Sequence, residues 1–561
     1  MKILFKFRPN QIFLAALGIV TGVLAGCSSS GTADLSSLSD PPEVAIGERL
    51  FLETRFAQFF SAHFTGNVNA PLPFGQGDPT MDVTVTLGDP LPGPFQGKTM
   101  NCRGCHLVDE QVEQEGGGMR TYTDFAQRSP IPDRGDGRFV TARNSPPLVN
   151  ATLARPHFFL HFDGEFSTQD DLVRGTLTGR NFGWLPSERN QAVAHIAQVI
   201  REDNGSDELA AETGGWSYAA LLLGTDDRIP AALRLPDAFR LDVTEATDDQ
   251  ILDAVAALIS AYVDGLRFSK DATGAYNTSP YDVFLQKNGL PRQPDAAEAD
   301  VDYSRRLRQR VENLASPKFV AHDGQFETHN QSFIFGAKEL QGLNIFLRES
   351  DSPLTSGVGN CIACHAAPNF TDFRFHNTGV TQREFDQLHG DGAFAALTIP
   401  DLPTRQGDPN ATLPPTAAHP NGTGKFLSAP SADDPEKTDL GLWNVFANDD
   451  VPTPQNALRD LLCDEFQADI VGPCTDEAIL PLTIAYFKTP GLRDLGHSAP
   501  YMHNGQSGTL ADAVSHYRFA ARTANASTLR NPSSELTGIR LSSEDVDALV
   551  AFLKALNEDY E

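Results

Sequence analysis

The sequence predicts a mainly α-helical protein made of two similar domains, with few short strands. Two copies of the motif Cys-x-x-Cys-His, at 102–106 and 361–365, lie about 260 residues apart. Each copy follows a segment whose apolar residues recur at helical spacing, at 47–52 and at 339–347. A third segment of this kind closes the chain at 541–556, where Ser-Ser-Glu-Asp forms an N-capping sequence.

Strand signals are sparse. Residues 81–87, Met-Asp-Val-Thr-Val-Thr-Leu, alternate between apolar and polar side chains and predict the edge of a hairpin. They lie in a Pro- and Gly-rich insertion at about 66–97. We therefore expect short strands in an insertion, outside the helical cores.

Length and composition describe a globular protein. The 561 residues are enough for two or more domains, and 40% are apolar while 21% are charged. The formal net charge of −29 argues against nucleic acid, because phosphates repel such a surface. A protein partner of this chain is expected to be basic.

The N-terminus predicts export and lipid attachment. Three basic residues within the first eight precede an apolar stretch at 12–23, and Leu-Ala-Gly-Cys at 24–27 resembles a lipobox. We expect a signal peptide at 1–26, a lipid on Cys27 and a flexible tether at 27–45. The protein would then be periplasmic and anchored to a membrane, the outer membrane by expectation, through its lipid alone. An ordinary secretory signal with a chance cysteine is the alternative.

The seven cysteines divide into groups. Cys27 is assigned to lipid, and four lie in the two Cys-x-x-Cys-His motifs. Cys463 and Cys474 remain, and in an oxidising compartment we expect them to form a disulfide that closes a short loop. Free thiols are the alternative for this pair.

The two motifs predict two covalently bound c-type haems. Thiols three positions apart can each add to one vinyl group of a haem, and the next residue then offers its imidazole to the iron. Zinc and thioredoxin-like cysteine pairs are the competing interpretations, but two complete motifs in an exported chain favour haem. The predicted haem-binding residues are Cys102, Cys105 and His106 in the first motif and Cys361, Cys364 and His365 in the second.

With these motifs, the chain resembles the bacterial di-haem cytochrome c peroxidases and the related MauG-type enzymes over almost all of its mature part. The resemblance rests on six segments in a fixed order. They are Ala-Arg-Asn-Ser-Pro-Pro-Leu-Val-Asn (142–150), His-Phe-Asp-Gly-Glu (161–165), Ser-Pro-Tyr-Asp-Val-Phe (279–284), Phe-His-Asn-Thr-Gly-Val (375–380), Phe-Lys-Thr-Pro-Gly-Leu-Arg (487–493) and Ala-Pro-Tyr-Met-His-Asn-Gly (499–505).

The resemblance implies a division of labour. An N-terminal cytochrome c domain at 46–330 would carry the haem that binds peroxide, and a C-terminal domain at 331–561 would carry the haem that transfers electrons. It also implies a calcium ion between the domains, bound partly by the backbone carbonyls of Ser498 and Pro500. A turn held by its own prolines is the alternative for these two residues.

The residues beside the first haem depart from the family pattern. Asp170 lies at the family's catalytic glutamate position by spacing, whereas Leu160 replaces a glutamine and Glu165 replaces an arginine. A carboxylate at a helix start is the alternative for Asp170. His157 and His161 either line the pocket or cap the iron, or they are ordinary exposed or core histidines.

A tyrosine occupies the expected position of the second haem's outer ligand. Fourteen residues after His503, where peroxidases of the family carry methionine, this chain has Tyr517, as MauG-type enzymes do. A phenolate is a harder ligand than a thioether and stabilises higher oxidation states of iron. The alternatives are a core tyrosine with His516 as the ligand, or neither residue; Met502 lies inside a turn.

The resemblance leads to a MauG-like enzyme in which peroxide oxidises the haems and they withdraw electrons from a partner protein. The alternatives are a peroxidase that takes electrons from a small cytochrome or cupredoxin, an electron-transfer cytochrome with both irons six-coordinate, and a di-haem oxygenase of the rubber-cleaving type. Trp184, Trp216 and Trp443 are candidates for an electron relay between the haems, or core residues.

Overall fold

The computed structural model describes residues 40–73, 77–86, 89–92, 95–106 and 128–559. The predicted signal peptide, Cys27 and most of the predicted tether lie outside these residues. Within the described ranges, no helix has both the length and the apolar character needed to cross a membrane.

The described chain is mainly helical, which confirms the predicted fold class. Short antiparallel pairs join β1 to β2, inside the predicted hairpin region, and β3 to β4. The elements are α1 (Pro42–Phe51), α2 (Gln58–His63), α3 (Pro79–Asp82), β1 (Val83–Thr86), β2 (Asp89–Pro92), α4 (Gln169–Leu177), α5 (Arg189–Glu202), α6 (Glu208–Glu212), α7 (Tyr218–Leu223), α8 (Asp248–Gly265), α9 (Pro280–Lys287), α10 (Asp300–Glu312), α11 (Ala337–Leu347), β3 (Phe375–His376), α12 (Val380–His389), α13 (Ala393–Ala396), α14 (Leu402–Gly407), α15 (Gln455–Glu465), α16 (Asp476–Ile479), β4 (Phe487–Lys488), α17 (Leu510–Asn525) and α18 (Ser543–Lys554).

The first core forms around the crossing of α1 and α8, with α4 and α5 packed on α8. The crossing is close because Gly47 has no side chain. A Cβ at this position would lie 2.1 Å from the carbonyl oxygen of Leu258. The first Cys-x-x-Cys-His motif follows α1 in sequence and packs against this core.

The second core repeats this arrangement with α11 and α18, supported by α10 and α17. A Cβ at Gly342 would lie 2.0 Å from the carbonyl oxygen of Ala548. Helix α18 begins at the predicted capping sequence, where the Ser542 side chain accepts a hydrogen bond from the Asp545 amide. Each motif therefore follows a helix whose glycine touches a later helix of the same core.

Along the sequence, the second core begins before the predicted domain boundary between residues 330 and 331. Tyr281 and Phe284 of α9 and Leu307 of α10 are buried in it. The Tyr281 amide also donates to the carbonyl of Ala555 at 3.0 Å, which ties α9 to the end of α18. Residues 280–312 were assigned to the first domain, but their apolar side chains pack in the second core.

A third core, which the sequence analysis did not predict, lies between the second motif and α17. Its buried residues lie mostly at 375–487 and include Trp443 and Phe426, whose rings meet edge to face at 5.2 Å. Cys463 and Cys474 form a disulfide beside it. Phe159 of the first half is buried in the same cluster, so this core contacts both halves.

Candidate haem-binding sites

The first Cys-x-x-Cys-His motif lies on the wall of a large cavity. Residues Cys102–Gly104 form a 3₁₀ turn that is capped by the side chain of Asn101, which accepts from the Gly104 amide at 2.9 Å. The turn presents Cys102, Cys105 and His106 to a cavity of about 720 Å³. This volume lies in the range of cofactor pockets.

The residues around this cavity fit a c-type haem. The two thiols are the attachment groups, and the imidazole of His106 is the kind of ligand that haem iron takes. Burial raises the pKa of Cys102 to about 12 and that of Cys105 to about 11. Apolar side chains supply much of the remaining wall, among them Leu172, Leu177, Phe182 and Trp184.

His161 and Glu165 form a polar pair in the wall of the same cavity. The His161 Nδ1 atom lies 3.0 Å from Glu165 Oε2, and the edge of Phe166 packs on the imidazole at 5.1 Å. Burial and the nearby His161 lower the pKa of His106 to about 4. His161 therefore lies near the predicted iron ligand, held in place by a carboxylate.

Asp170 is not part of the wall of the first cavity. Its side chain is exposed in the first turn of α4, where Thr168 caps the helix through the amide of Asp171. Gln169, rather than Asp170, contributes to the cavity wall. The exposed position favours the helix-start interpretation, and the assignment of Asp170 as a catalytic acid stays a prediction. His157 is also not part of the wall; it stacks near Phe159 at 6.3 Å.

The second motif has the same local form as the first. Cys361–Ala363 is a 3₁₀ turn, and the adjacent Gly359 lies so close to α11 that a Cβ would be 2.7 Å from the carbonyl oxygen of Ile345. His365 Nδ1 lies 2.9 Å from the carbonyl oxygen of Phe370. A proton on Nδ1 would be donated to this carbonyl, which leaves Nε2 as the atom available to a metal.

Tyr517 of α17 interacts electrostatically with the second pair of thiols. Burial, together with the nearby Cys364 and Cys361, raises the pKa of its phenol. The alternative ligand, His516, has both ring nitrogens engaged, Nε2 with the carbonyl of Thr378 at 2.9 Å and Nδ1 with Arg383 at 3.1 Å. His516 is therefore held by partners within the protein, and the assignment of Tyr517 as a ligand stays a prediction.

Arg143 and Asn144, which follow the first motif, contact residues that follow the second motif. Arg143 pairs with Asp163 at 2.5 Å and with Asp439 at 2.6 Å. The amide of Asn144 donates to the carbonyl of His503 at 2.7 Å, and its side chain donates to the carbonyl of Pro500. These contacts join the segment after the first motif to the turn for which calcium is predicted.

Ser498, the other predicted calcium residue, closes the 3₁₀ turn Leu495–His497. Its hydroxyl donates to the carbonyl of Asp494 at 3.3 Å. His497 and Ser498, at the end of this turn, also line the cavity that contains the first motif.

Two features of the first cavity were not found from the sequence. The pair formed by His161 and Glu165 depends on a backbone turn with φ of +60° at His161, which no local pattern signals. Lys488, from the second half of the chain, contributes to the wall, and burial and Arg155 lower its pKa to about 7. The motif Phe-Lys-Thr-Pro contains this lysine, but only the fold brings it to the first cavity.

The tryptophans occupy different environments. Trp184 is buried in the cavity wall and donates from Nε1 to the carbonyl of Phe56 at 3.2 Å. Trp443 is buried in the third core, and Trp216 is half-buried beneath Arg228. Trp184 is thus the one that contributes to the first cavity.

Comparison with known proteins gives relatives of one kind. No protein-family model matches the chain. The cytochrome-c peroxidase IdrP2 of Denitromonas iodatirespirans is 29% identical over 222 residues, which cover 38% of this chain and 42% of that protein. IdrP1 of the same organism is 26% identical over 204 residues, 36% of this chain and 38% of that protein. The chain thus spans about two fifths of the length of these relatives.

Solved structures of similar outline include the diheme peroxidase BthA from Burkholderia thailandensis, at 17% identity and a TM-score of 0.43 over 92% of this chain and 86% of that one. Another is a MauG-like protein associated with microbial copper homeostasis, at 16% identity and a TM-score of 0.40 over 94% of this chain and 95% of that one. Over about two fifths of its length, the chain is thus similar to proteins named cytochrome-c peroxidases.

Proposed function

We propose that the protein is a di-haem oxidoreductase that reacts with hydrogen peroxide at the N-terminal site and relays electrons through the C-terminal site, in the manner of MauG-like enzymes. The observation that carries this proposal is the difference between the two motifs. The first lines a cavity of about 720 Å³ that also contains the polar pair of His161 and Glu165, whereas the second interacts electrostatically with Tyr517. The first site thus has a candidate proton-transfer group, and the second has a candidate second ligand.

At the first site, Cys102 and Cys105 would attach the haem and His106 would ligate it. The haem, when bound, supplies an iron position that peroxide can occupy and the electrons that reduce it. Peroxide cleavage also needs a group that moves a proton between the two oxygens. We assign this role to His161, because it lies in the same cavity as His106, with Glu165 orienting its ring.

At the second site, His365 and Tyr517 would hold the iron between them. The hydrogen bond from His365 Nδ1 to Phe370 fixes the orientation of the imidazole, as outer-shell partners of metal-bound histidines do. A tyrosine ligand favours oxidised iron, which suits a centre that withdraws electrons from a partner. This ligand set supports the MauG-like form of the proposal.

The proposal includes the setting that the sequence predicts. Calcium would bind at the carbonyls of Ser498 and Pro500, next to the Asn144 side chain that already contacts Pro500. The lipid on Cys27 would hold the protein at the periplasmic side of a membrane. The net charge of −29 suits a basic redox partner, either a small cytochrome, a cupredoxin or a protein substrate.

A substitution at Tyr517 tests the ligand assignment. In Tyr517→Phe holoprotein, we expect the absorption and electron paramagnetic resonance spectra of the low-spin haem to change while the high-spin signal persists. Tyr303→Phe is the matched control, because Tyr303 is buried in the second core and its hydroxyl donates to the carbonyl of Pro291. Identical low-spin spectra in wild type and Tyr517→Phe would remove Tyr517 from the iron.

A substitution at His161 tests the peroxide site. His161→Gln should slow the reaction of the high-spin haem with peroxide by about 100-fold or more, the usual contribution of a positioned proton-transfer group. His157→Gln is the control, since His157 is half-buried and outside the cavity wall. Equal rates in both variants would exclude His161 from proton transfer, and the absence of any high-spin ferric signal would favour a simple electron carrier.

The second candidate function is a peroxidase that takes electrons from a small redox protein. The acidic composition favours it, because a basic cytochrome would be attracted to this chain. Steady peroxide turnover with reduced cytochrome c as the donor would support it over the MauG-like form.

A further inference from the structure

A smaller cavity, of about 320 Å³, lies beside helix α17 and shares no wall residue with the large cavity. Its wall contains three arginines, Arg518 and Arg522 from α17 and Arg540 from the segment before α18. The other residues of its wall are uncharged. This arginine cavity is therefore positively charged, in a chain whose formal net charge is −29.

The two arginines of α17 keep hydrogen-bond donors for a ligand. Arg518 donates from Nε to the carbonyl of Leu541 at 3.1 Å, which holds the side chain and leaves both Nη atoms without a partner in the described chain. The guanidinium carbon of Arg522 lies 5.8 Å from the centre of the Phe519 ring. Neither arginine forms an ion pair with a described residue. Both are exposed, so a ligand can reach them from solvent.

The spacing of these two arginines costs the helix stability unless an anion is present. Arg518 and Arg522 lie one turn apart on the same face of α17. Like charges four residues apart repel each other and destabilise a helix. The negative end of the helix dipole favours one cation in the last turn, where Arg522 lies. It does not account for a second cation one turn earlier at the same cavity.

Arg540 gives the opposite wall a fixed shape. Its side chain donates to the carbonyl of Leu354 at 3.0 Å and to that of Ser352 at 2.7 Å. Its backbone pairs with that of Val358 through two hydrogen bonds, at 2.8 and 3.1 Å. Arg540 thus adds positive charge to the cavity while its own donors hold the protein. A wall that is ordered before binding loses little entropy when a ligand enters.

One carboxylate lies behind this wall. Asp545 is only 8% exposed. It accepts hydrogen bonds from the hydroxyls of Ser356 and Ser542, at 2.7 and 2.8 Å, and from the Gly357 amide at 3.1 Å. These bonds occupy the carboxylate, and its single charge is outnumbered by the three guanidinium groups. The balance of charge at the cavity favours an anion.

We propose that the arginine cavity binds a small soluble anion through a phosphoryl group held between Arg518 and Arg522. The planar guanidinium group donates two parallel hydrogen bonds to the oxygens of such a group. A phosphoryl group carries nearly two negative charges at neutral pH, so it balances both arginines, whereas one carboxylate balances only one. The volume lies at the small end of the range of ligand pockets, which suits a compact phosphate ester.

Glycerol 3-phosphate is the probe for this proposal. Isothermal titration calorimetry of the holoprotein is carried out at low ionic strength, where salt screens exposed charges least. We expect saturable binding of one equivalent, at least about 10-fold weaker in Arg518→Gln and in Arg522→Gln, because each loses charge-assisted hydrogen bonds. Arg305→Gln is the matched control, since this exposed arginine of α10 pairs with Asp302 and Glu349. It makes the same change in net charge and should keep the wild-type affinity.

Glycerate, which carries a carboxylate in place of the phosphoryl group, tests the class of ligand in the wild type and does not depend on any variant. We expect it to bind more weakly than glycerol 3-phosphate. Glycerate binding as tight as that of the phosphate ester would overturn the phosphoryl assignment. The absence of saturable binding, or equal weakening in Arg305→Gln and the two cavity variants, would overturn the site itself. Because no peroxide or electron donor is used, these results are independent of the proposed function.

Discussion

The close approach of α11 and α18 gives a prediction whose size follows from one distance. In Gly342→Ala, the new Cβ would lie 2.0 Å from the carbonyl oxygen of Ala548 and 2.7 Å from the Cβ of Phe552. Ordinary contact between such atoms needs about 3.5 Å, so the helices must separate by about 1.5 Å. Overpacking of this kind costs about 1–3 kcal/mol or more, against a gain of about 1 kcal/mol in helix propensity.

Because the overlap of about 1.5 Å involves backbone, we place the cost at the upper end of this range, about 3 kcal/mol, so the expected net loss for Gly342→Ala is about 2 kcal/mol of unfolding free energy. For a domain of this size, that corresponds to a fall in Tm of roughly 4–8 °C. Differential scanning calorimetry of the holoprotein measures it, and the absorbance of the haem proposed at the second motif should change in the same transition. Gly407→Ala is the control, because Gly407 ends α14 with no atom within 4 Å of its added Cβ. Equal melting of the two variants would refute the helix crossing.

Two further predictions concern the first core and the third core. Gly47→Ala should lower the Tm by a similar amount, because its Cβ would lie 2.1 Å from the carbonyl oxygen of Leu258. The absorption spectrum of the haem proposed at the first motif should change in the same transition. A change confined to the haem proposed at the second motif would contradict this prediction. Replacing Cys463 and Cys474 together by serine should cost about 3 kcal/mol in denaturant unfolding, since the disulfide closes a short loop; an unchanged midpoint would argue against the bond.

Local patterns in the sequence were sufficient for the parts of the fold that depend on neighbouring residues. Both motifs form 3₁₀ turns after amphipathic helices, and α18 begins at its predicted cap. Gly47 and Gly342 lie inside helical patterns, where glycine is unfavourable unless a close contact requires it. That cost is a signal of tight helix packing, and the structure places a helix backbone against each of the two glycines.

Contacts between distant segments were beyond this reasoning. The apolar faces of α9 and α10 predict helices but not the core in which these helices are buried, which is the second core. The third core has no repeated motif to reveal it. The hydrogen-bonded cluster of His329, Asp494 and His497 joins residues from two separate segments, and the spacing of any one of them is uninformative.

The wall of the first cavity shows why these distant contacts matter for chemistry. Lys488, Thr489 and Arg493 come from the second half of the chain, yet they line the cavity that holds the first motif. Arg143 fixes this assembly, because its guanidinium pairs with Asp163 of the first half and with Asp439 of the third core. Removing one partner of such a buried group leaves charge uncompensated and typically costs about 3–5 kcal/mol. The first site is therefore complete only when the two halves are assembled, and Arg143 contributes to the site by holding its walls together.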